Sequence, residues 1–185
     1  LWTRDNTNRR LLGWELPVPY VASLHAGLVL AVSPLLARAL LHLKTTPGLP
    51  TAAAKIALGM LATGFAFVPL VVAALLGSDC SLVSLGWLLG CLLLLSVGEL
   101  LVCALGPSFV LRLAPPKSGG RWLGAWYGAT AVGYWLAGRI GGLWDRVPHS
   151  LFFAGLATLS LTGLALIAVM RRAAVNPARR HMTVT

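Results

Sequence analysis

The sequence predicts an all-α, polytopic membrane protein. Its 185 residues are 57% hydrophobic and only 11% charged, whereas about a quarter of the residues in a soluble domain carry a charge. The mean hydropathy is +0.80. The apolar residues are gathered into five runs, and each run is long enough to cross a hydrocarbon core of about 30 Å as a helix. These features exclude an ordinary soluble domain.

The five runs are separated by short polar or basic segments. They cover residues 17–43 with Pro34 inside, 51–76 with a gentle break at Pro69, 82–113, 122–144 and 150–170. A backbone in lipid must satisfy its own hydrogen bonds, so each run is expected to be helical, and the prolines mark kinks. The predicted organisation is an outer segment over 1–16, a five-helix bundle over 17–170 and a basic tail over 171–185.

The basic residues predict the orientation in the membrane. Ten of the fifteen lysines and arginines fall on one side of the predicted bundle: Arg38, Lys44, Lys55, Arg112, Lys117, Arg121, Arg171, Arg172, Arg179 and Arg180. The positive-inside rule places this side, and with it the carboxyl terminus, in the cytoplasm, and the loop over 4–17 outside a plasma (inner) membrane. Because the net charge of +10 lies in short clusters between apolar runs, it indicates topology and not nucleic-acid binding. The tail is interpreted as a cytoplasmic anchor, and binding of an acidic partner is the alternative.

The third run carries a carboxylate, Glu99, in its middle. A charge at the centre of a bilayer costs about 2.5–3.5 kcal/mol on insertion scales, and ionisable residues kept there are usually functional. Glu99 is therefore the first candidate for a functional residue. The alternative is a structural carboxyl group that is protonated and hydrogen-bonded between helices.

Small and weakly polar residues accompany Glu99 at helical spacing. Ser96, Cys103 and Gly106 share its face, which predicts a surface that lines a cavity or packs closely. The fourth run has a comparable face, and its members are Tyr127, Thr130, Tyr134 and Gly138, with Trp126 beside them. Tyr134 lies too deep for an interfacial aromatic residue, so its hydroxyl is expected to meet a partner or water.

His25 lies in the first run, roughly eight residues from its outer end. A packing role and a proton-carrying role both remain open for it. The second and fifth runs have no ionisable residue deep in the membrane and are expected to face lipid or to act as scaffold. No enzyme motif is present: G-x-S-x-G, H-E-x-x-H and a phosphate-binding glycine loop are all missing. Cys80, Cys91 and Cys103 predict neither a disulfide framework nor a metal site. We expect a protein that is not an enzyme and holds no cofactor.

Several short motifs follow one another in order along the chain. The outer segment and first run carry Asn6-Thr7-Asn8-Arg9, Leu12-Gly13-Trp14-Glu15-Leu16-Pro17, Ser23-Leu24 and Pro34. The later runs carry Gly98-Glu99-Leu100, Gly106, Ser108, Leu113-Ala114-Pro115, Gly124-Ala125-Trp126 and Leu136-Ala137-Gly138. In this order the motifs resemble those of the proton-dependent oligopeptide transporters, a family of the major facilitator superfamily. The resemblance covers nearly the whole chain.

The resemblance implies that the five runs are helices eight to twelve of a twelve-helix transporter. Leu1-Trp2 would end helix seven, and we expect an amino-terminal six-helix half to be missing from this sequence. Substrate would bind between the halves at the membrane midplane, with a proton as coupling ion. Glu99 matches the glutamate that receives the amino terminus of a di- or tripeptide, and Trp126 matches a pocket aromatic residue. The other expected substrate contacts are His25, Tyr134, Ser96, Cys103 and Thr130.

The chain departs from the family pattern at several of these positions. His25-Ala26 stands where the family has Asn-Pro, Cys103-Ala104 replaces Ser-Pro, and Tyr134 replaces a frequent Asn. Two alternatives to peptide uptake therefore stay open. One is a transporter of another small solute such as an amino acid, nitrate or a drug-like cation, and the other is a divergent or truncated membrane protein that does not transport.

Overall fold

The computed structural model describes residues 1–11, 14–44, 52–77 and 82–181, with side chains described except at 11, 14, 42–44 and 167–181. Predictions about Leu12, Gly13, Cys80 and residues 182–185 lie outside this part. The helices are α1 (Trp2–Asp5), α2 (Val18–Lys44), α3 (Ala52–Ala66), α4 (Val68–Gly77), α5 (Leu85–Leu113), α6 (Gly119–Gly141) and α7 (His149–His181). The strands are β1 (Thr7–Asn8), β2 (Arg10–Leu11), β3 (Trp14–Glu15) and β4 (Val83–Ser84).

The helices correspond to the five apolar runs. Within the described residues, four segments are long and apolar enough to cross a membrane: Val18–Leu41, Ala52–Gly77, Leu85–Leu113 and His149–Leu166. The fourth predicted run forms α6, a helix of 23 residues. It is less apolar than the others because it contains Arg121 and Arg139 and is rich in glycine. The prediction of a helical membrane protein is confirmed.

One predicted break is present and one run ends later than predicted. The second run divides at Phe67 into α3 and α4, two residues before Pro69, where the sequence predicted a gentle break. Proline lacks the N–H that a continuous helix would use, so a break is expected there. The backbone N–H of Val71 donates to the Phe67 carbonyl over 3.0 Å and restarts the helix. At the other end of the chain, α7 continues past Met170 to His181, so the described part of the predicted tail is helical.

α3 packs against both α5 and α7. Gly59 of α3 and Gly98 of α5 lie where the two backbones cross, and a Cβ on Gly98 would be only 2.9 Å from the Gly59 carbonyl oxygen. On the other side of α3, a Cβ on Gly163 of α7 would lie 2.5 Å from the Met60 Cε. Small residues permit such close helix contacts in membranes. The second and fifth runs therefore pack as scaffold helices through part of their surface. Only 33% of the Ala52–Gly77 window and 6% of the His149–Leu166 window are buried in the described structure, so lipid contact of their remaining surface stays a prediction.

Short strands connect the amino-terminal segment to the start of α5. β1 pairs in parallel with β4, and β2 pairs antiparallel with β3. The Val83 N–H donates to the carbonyl oxygen of Asn6 over 2.9 Å, and Ser84 caps α5 by accepting from the Gly86 N–H over 3.2 Å. Strands of two residues carry no periodic sequence signal, so the helical prediction missed them.

Aromatic side chains join α1 to the start of α7 at the same end of the bundle. Trp144, in a 3₁₀ turn before α7, stacks on His149 with ring centroids 4.2 Å apart. Trp2 meets Phe153 edge to face at 5.3 Å. Trp2 and Trp144 are each only 6% exposed. This cluster and the β1–β4 ladder hold the segment before α2 against the membrane helices.

Candidate functional site

Glu99 lies at the midpoint of α5. At 1.5 Å per residue it is about 21 Å along the helix axis from either end. The Glu99 side chain is 49% exposed. A carboxylate at this depth is expected to face a partner or a cavity that admits water, and Glu99 does both.

The partner is His25 of α2. Its Nε2 lies 3.6 Å from the Glu99 Oε2, and the imidazole is 26% exposed. That separation suits an ion pair when the imidazole is protonated, but it is long for a hydrogen bond. Among the described residues, His25 Nε2 is buried and has no hydrogen-bond partner. The packing of α2 on α5 thus brings together two residues that the sequence singled out separately.

The cavity beside Glu99 has a volume of about 440 Å³, within the range of small-molecule sites. Four helices line it, with Met60 and Thr63 from α3, Leu95, Gly98, Glu99, Val102 and Cys103 from α5, Tyr134 from α6 and Ser160 from α7. The Thr63 hydroxyl donates to the Gly59 carbonyl over 3.0 Å, and the Ser160 hydroxyl donates to the Leu156 carbonyl over 3.1 Å. Because these hydroxyl protons are used within their own helices, the Glu99 carboxylate is the dominant polar group of the lining.

The predicted site residues separate into two groups. Cys103 and Tyr134 line the same cavity as Glu99, and Tyr134 is 75% exposed. Ser96 is fully buried, and its hydroxyl donates to the Leu92 carbonyl over 2.8 Å. The Thr130 hydroxyl likewise donates within its own helix, to the Trp126 carbonyl over 2.9 Å. Ser96 and Thr130 are not among the described lining residues of this cavity. Helical spacing gives the direction in which a residue points from its own helix, but whether it meets a cavity or a neighbouring helix depends on how the helices pack at that depth.

Trp126 packs into the space left by Gly106. A Cβ on Gly106 would overlap the indole and lie 2.5 Å from its Cη2. The predicted face was to line a cavity or pack closely, and Gly106 packs closely: it receives an aromatic ring from α6, and this contact fixes α6 against α5. Trp126 does not appear in the described lining around Glu99, so its contact with substrate stays a prediction.

Sequence reasoning missed the contributions of α3 and α7 to the cavity. Met60, Thr63 and Ser160 all line it, although their helices carry no deep charge. A signal was available in Gly59 and Thr63, which lie four residues apart on one helix face and are both small. Such spacing is typical of a helix-packing face.

Comparison with known proteins decides the family. The model of the POT family matches residues 1–160. The chain belongs to the POT family. This POT chain is 32% identical over 144 residues to Peptide transporter YePEPT of Yersinia enterocolitica, an alignment that covers 77% of this chain and 28% of that relative. It is 36% identical over 138 residues to Dipeptide and tripeptide permease A of Chromobacterium violaceum, covering 75% of this chain and 27% of that relative.

Solved structures agree with the POT fold. A crystal structure of peptide transporter POT in complex with sulfate superposes with a TM-score of 0.82 at 21% identity, covering 93% of this chain and 34% of that one. A POT family transporter in complex with 5-aminolevulinic acid gives a TM-score of 0.78 at 19% identity, covering 91% and 35%. The expected major-facilitator-type membrane fold is confirmed, and the protein is a multi-pass membrane protein. The POT chain spans less than a third of the length of these two curated relatives.

Proposed function

We propose that this chain is the carboxyl-terminal half of a secondary transporter that takes up di- and tripeptides together with protons by alternating access. The observation that carries the proposal is a half-exposed carboxylate, Glu99, at the midpoint of a membrane helix and on the wall of a cavity. Relatives with the names peptide transporter and dipeptide and tripeptide permease support the substrate class. Transport, and not catalysis, is the activity that we assign.

Glu99 would receive the substrate's amino terminus. At a separation of 4 Å, opposite charges attract by about 1 kcal/mol in water and by about 4 kcal/mol at the effective dielectric constant of a partly buried site. Among the other lining residues, the Tyr134 hydroxyl is a neutral donor and acceptor, the Cys103 thiol is a weak donor, and the remainder is mostly apolar. The cavity is therefore better suited to a ligand with one ammonium group and an apolar remainder than to an anion.

The proposal includes a second half that covers the exposed faces of α2 and α6. In the described structure no residue of α6 is buried, although the helix presents Tyr127, Tyr134 and Trp135. On α2, Leu30 is 74% exposed. We assign these faces to contact with an amino-terminal half corresponding to the unmatched length of the relatives, with substrate held between the halves.

We assign the carboxyl terminus to the cytoplasm and the protein to the plasma (inner) membrane. The support is the basic side of the bundle, which carries ten of the fifteen lysines and arginines. A reporter that is active only in the cytoplasm, fused after Thr185 of the full-length protein, is expected to be active. Activity of a reporter that works only outside would reverse the assignment.

Uptake of dialanine into proteoliposomes, driven by an inward proton gradient, tests the function in the full-length protein. Glu99→Gln is expected to lower uptake at least tenfold, because a hydrogen bond to a charged group contributes about 1.5–3 kcal/mol. The matched control is Glu15→Gln, since Glu15 is 60% exposed and pairs with Arg9 in the outer segment at 2.7 Å. Such exposed pairs contribute about 0–1 kcal/mol, so this variant is expected to transport normally.

Uptake of dialanine by Glu99→Gln at the wild-type rate, with equal amounts of protein in the membrane, would overturn the assigned role of Glu99. N-acetyl-dialanine lacks the ammonium group and is expected to compete poorly with dialanine. Equal competition by the two compounds would contradict recognition of the amino terminus.

A further inference from the structure

The imidazole of His25 approaches the same carboxylate that the substrate's ammonium would bind. We propose that His25 is an internal counter-cation for Glu99: when protonated, it occupies the carboxylate of the empty site, and the substrate must displace it. This inference rests on the proposed function, in which Glu99 receives the amino terminus. It adds a residue that sets how strongly, and at which pH, substrate binds.

The Glu99 carboxylate can be reached by two groups, the His25 imidazole and a ligand in the cavity. On one side lies His25 Nε2, 3.6 Å from Oε2. On another side lies the cavity of about 440 Å³, from which a ligand can reach the carboxylate. The two residues come from different helices, α2 and α5, and His25 Nε2 has no hydrogen-bond partner within the described part of the chain. The His25 Nε2 is thus positioned to pair with Glu99, and no other described hydrogen bond competes for it.

The charged and titratable groups around His25 leave Glu99 as its counter-ion. From α5, Cys103 lines the same cavity as Glu99, and from α6, Tyr134 does so too. α1 also packs on α2, but its charged residues, Arg4 and Asp5, pair with each other at 2.7 Å. On α2 itself, Tyr20 lies over a turn away along the axis and Arg38 lies about 20 Å away at 1.5 Å per residue.

The expected consequence is a pH-dependent competition. Imidazole is the side chain that ordinarily changes charge between pH 5 and 8. When an ammonium group pairs with the carboxylate, the imidazolium loses its counter-ion and faces a second positive charge. Because a like charge disfavours the charged form, the imidazolium releases its proton to solvent, so up to one proton leaves for each substrate bound. No proton leaves at a pH where the imidazole is already neutral. By linkage, affinity for the ammonium ligand rises about tenfold per pH unit over the range in which binding releases a proton. It levels off at pH values where the imidazole is already neutral.

Titration calorimetry on the full-length protein tests this competition with dialanine at pH 5.5 and pH 7.5. Measurements in two buffers of different ionisation enthalpy count the protons released. His25→Gln is expected to bind dialanine about tenfold more tightly than wild type at pH 5.5 and equally at pH 7.5. Its proton release at pH 5.5 is expected to fall from near one to near zero. N-acetyl-dialanine should show neither effect.

The matched control is His149→Gln, because His149 stacks on Trp144 at the end of the bundle and is not part of the cavity lining. It is expected to keep the wild-type pH dependence. If His25→Gln does not fold, His25→Asn supplies the same neutral test.

The possible outcomes separate this inference from the proposed function. If Glu99→Gln abolishes dialanine binding while His25→Gln keeps the wild-type pH dependence, the counter-cation role is overturned and the transport function stands. If Glu99→Gln binds dialanine like wild type, the proposed function is overturned.

A second measurement needs no ligand. The imidazole NMR signal that disappears in His25→Gln is expected to shift in Glu99→Gln, and an unshifted signal would overturn the contact itself.

Discussion

Replacing Gly98 with alanine would place a methyl group inside the crossing of α3 and α5. The added Cβ would overlap the Thr63 Oγ1, and it would lie 2.9 Å from the Gly59 carbonyl oxygen and 3.0 Å from the Thr63 backbone nitrogen. Two of these three atoms belong to the backbone, so no side-chain rotation relieves the contact. The helices must separate, and Glu99, the next residue, moves with α5.

The magnitude follows from two opposing effects. Overpacking a close contact costs about 1–3 kcal/mol, and the backbone contacts place this site at the upper end of that range. Alanine is favoured over glycine within a helix by about 1 kcal/mol. We therefore expect Gly98→Ala to lower the free energy of unfolding by about 2 kcal/mol, and to lower dialanine uptake as well because the carboxylate is displaced.

The matched control on the same helix is Gly90→Ala, whose Cβ would meet only the Pro69 Cγ at 3.9 Å. That is an ordinary contact, so the helix preference remains and stability is expected to be unchanged or higher by up to about 1 kcal/mol. Thermal unfolding of the full-length protein in detergent, followed together with dialanine uptake, compares the two variants. Equal unfolding midpoints for Gly98→Ala and Gly90→Ala would refute the reasoning.

Three further changes test other contacts of the fold. Gly106→Ala is expected to cost about 1–3 kcal/mol because its Cβ overlaps the Trp126 indole; Trp126→Leu should recover part of this loss in thermal unfolding, and strict additivity would contradict the contact. Trp144→Ala is expected to cost about 3–5 kcal/mol, because it removes a buried indole from the aromatic cluster, and an unchanged unfolding midpoint would count against that packing. Arg4→Gln is expected to raise the pKa of Asp5, which the hydrogen bond from Arg4 holds below its usual range. The stabilisation from this pair is present above the pKa of the unfolded carboxyl and is lost as pH falls through the lowered value; an unchanged carboxyl titration by NMR would contradict it.

The sequence alone was sufficient for the membrane class and for the depth of Glu99. Apolar runs of this length must become helices in lipid because their backbone groups have no other partners. The carboxylate then falls at the midpoint by counting along α5. The break before Pro69 is equally local, because it follows from a missing N–H. Family membership was also predictable, from ordered motifs that the match over residues 1–160 confirms.

Only the tertiary structure decided which side chains meet. His25 and Glu99 belong to separate helices, and nothing in either run specifies the rotation that brings them within 3.6 Å. The same holds for Gly106: the sequence left cavity lining and close packing open for its face, and the structure shows that it packs against the Trp126 ring. Helical spacing gives the angular position of a residue on its own helix, whereas the neighbour at that depth depends on how all the helices pack. The charge was therefore evident from the sequence, and its histidine partner and cavity were not.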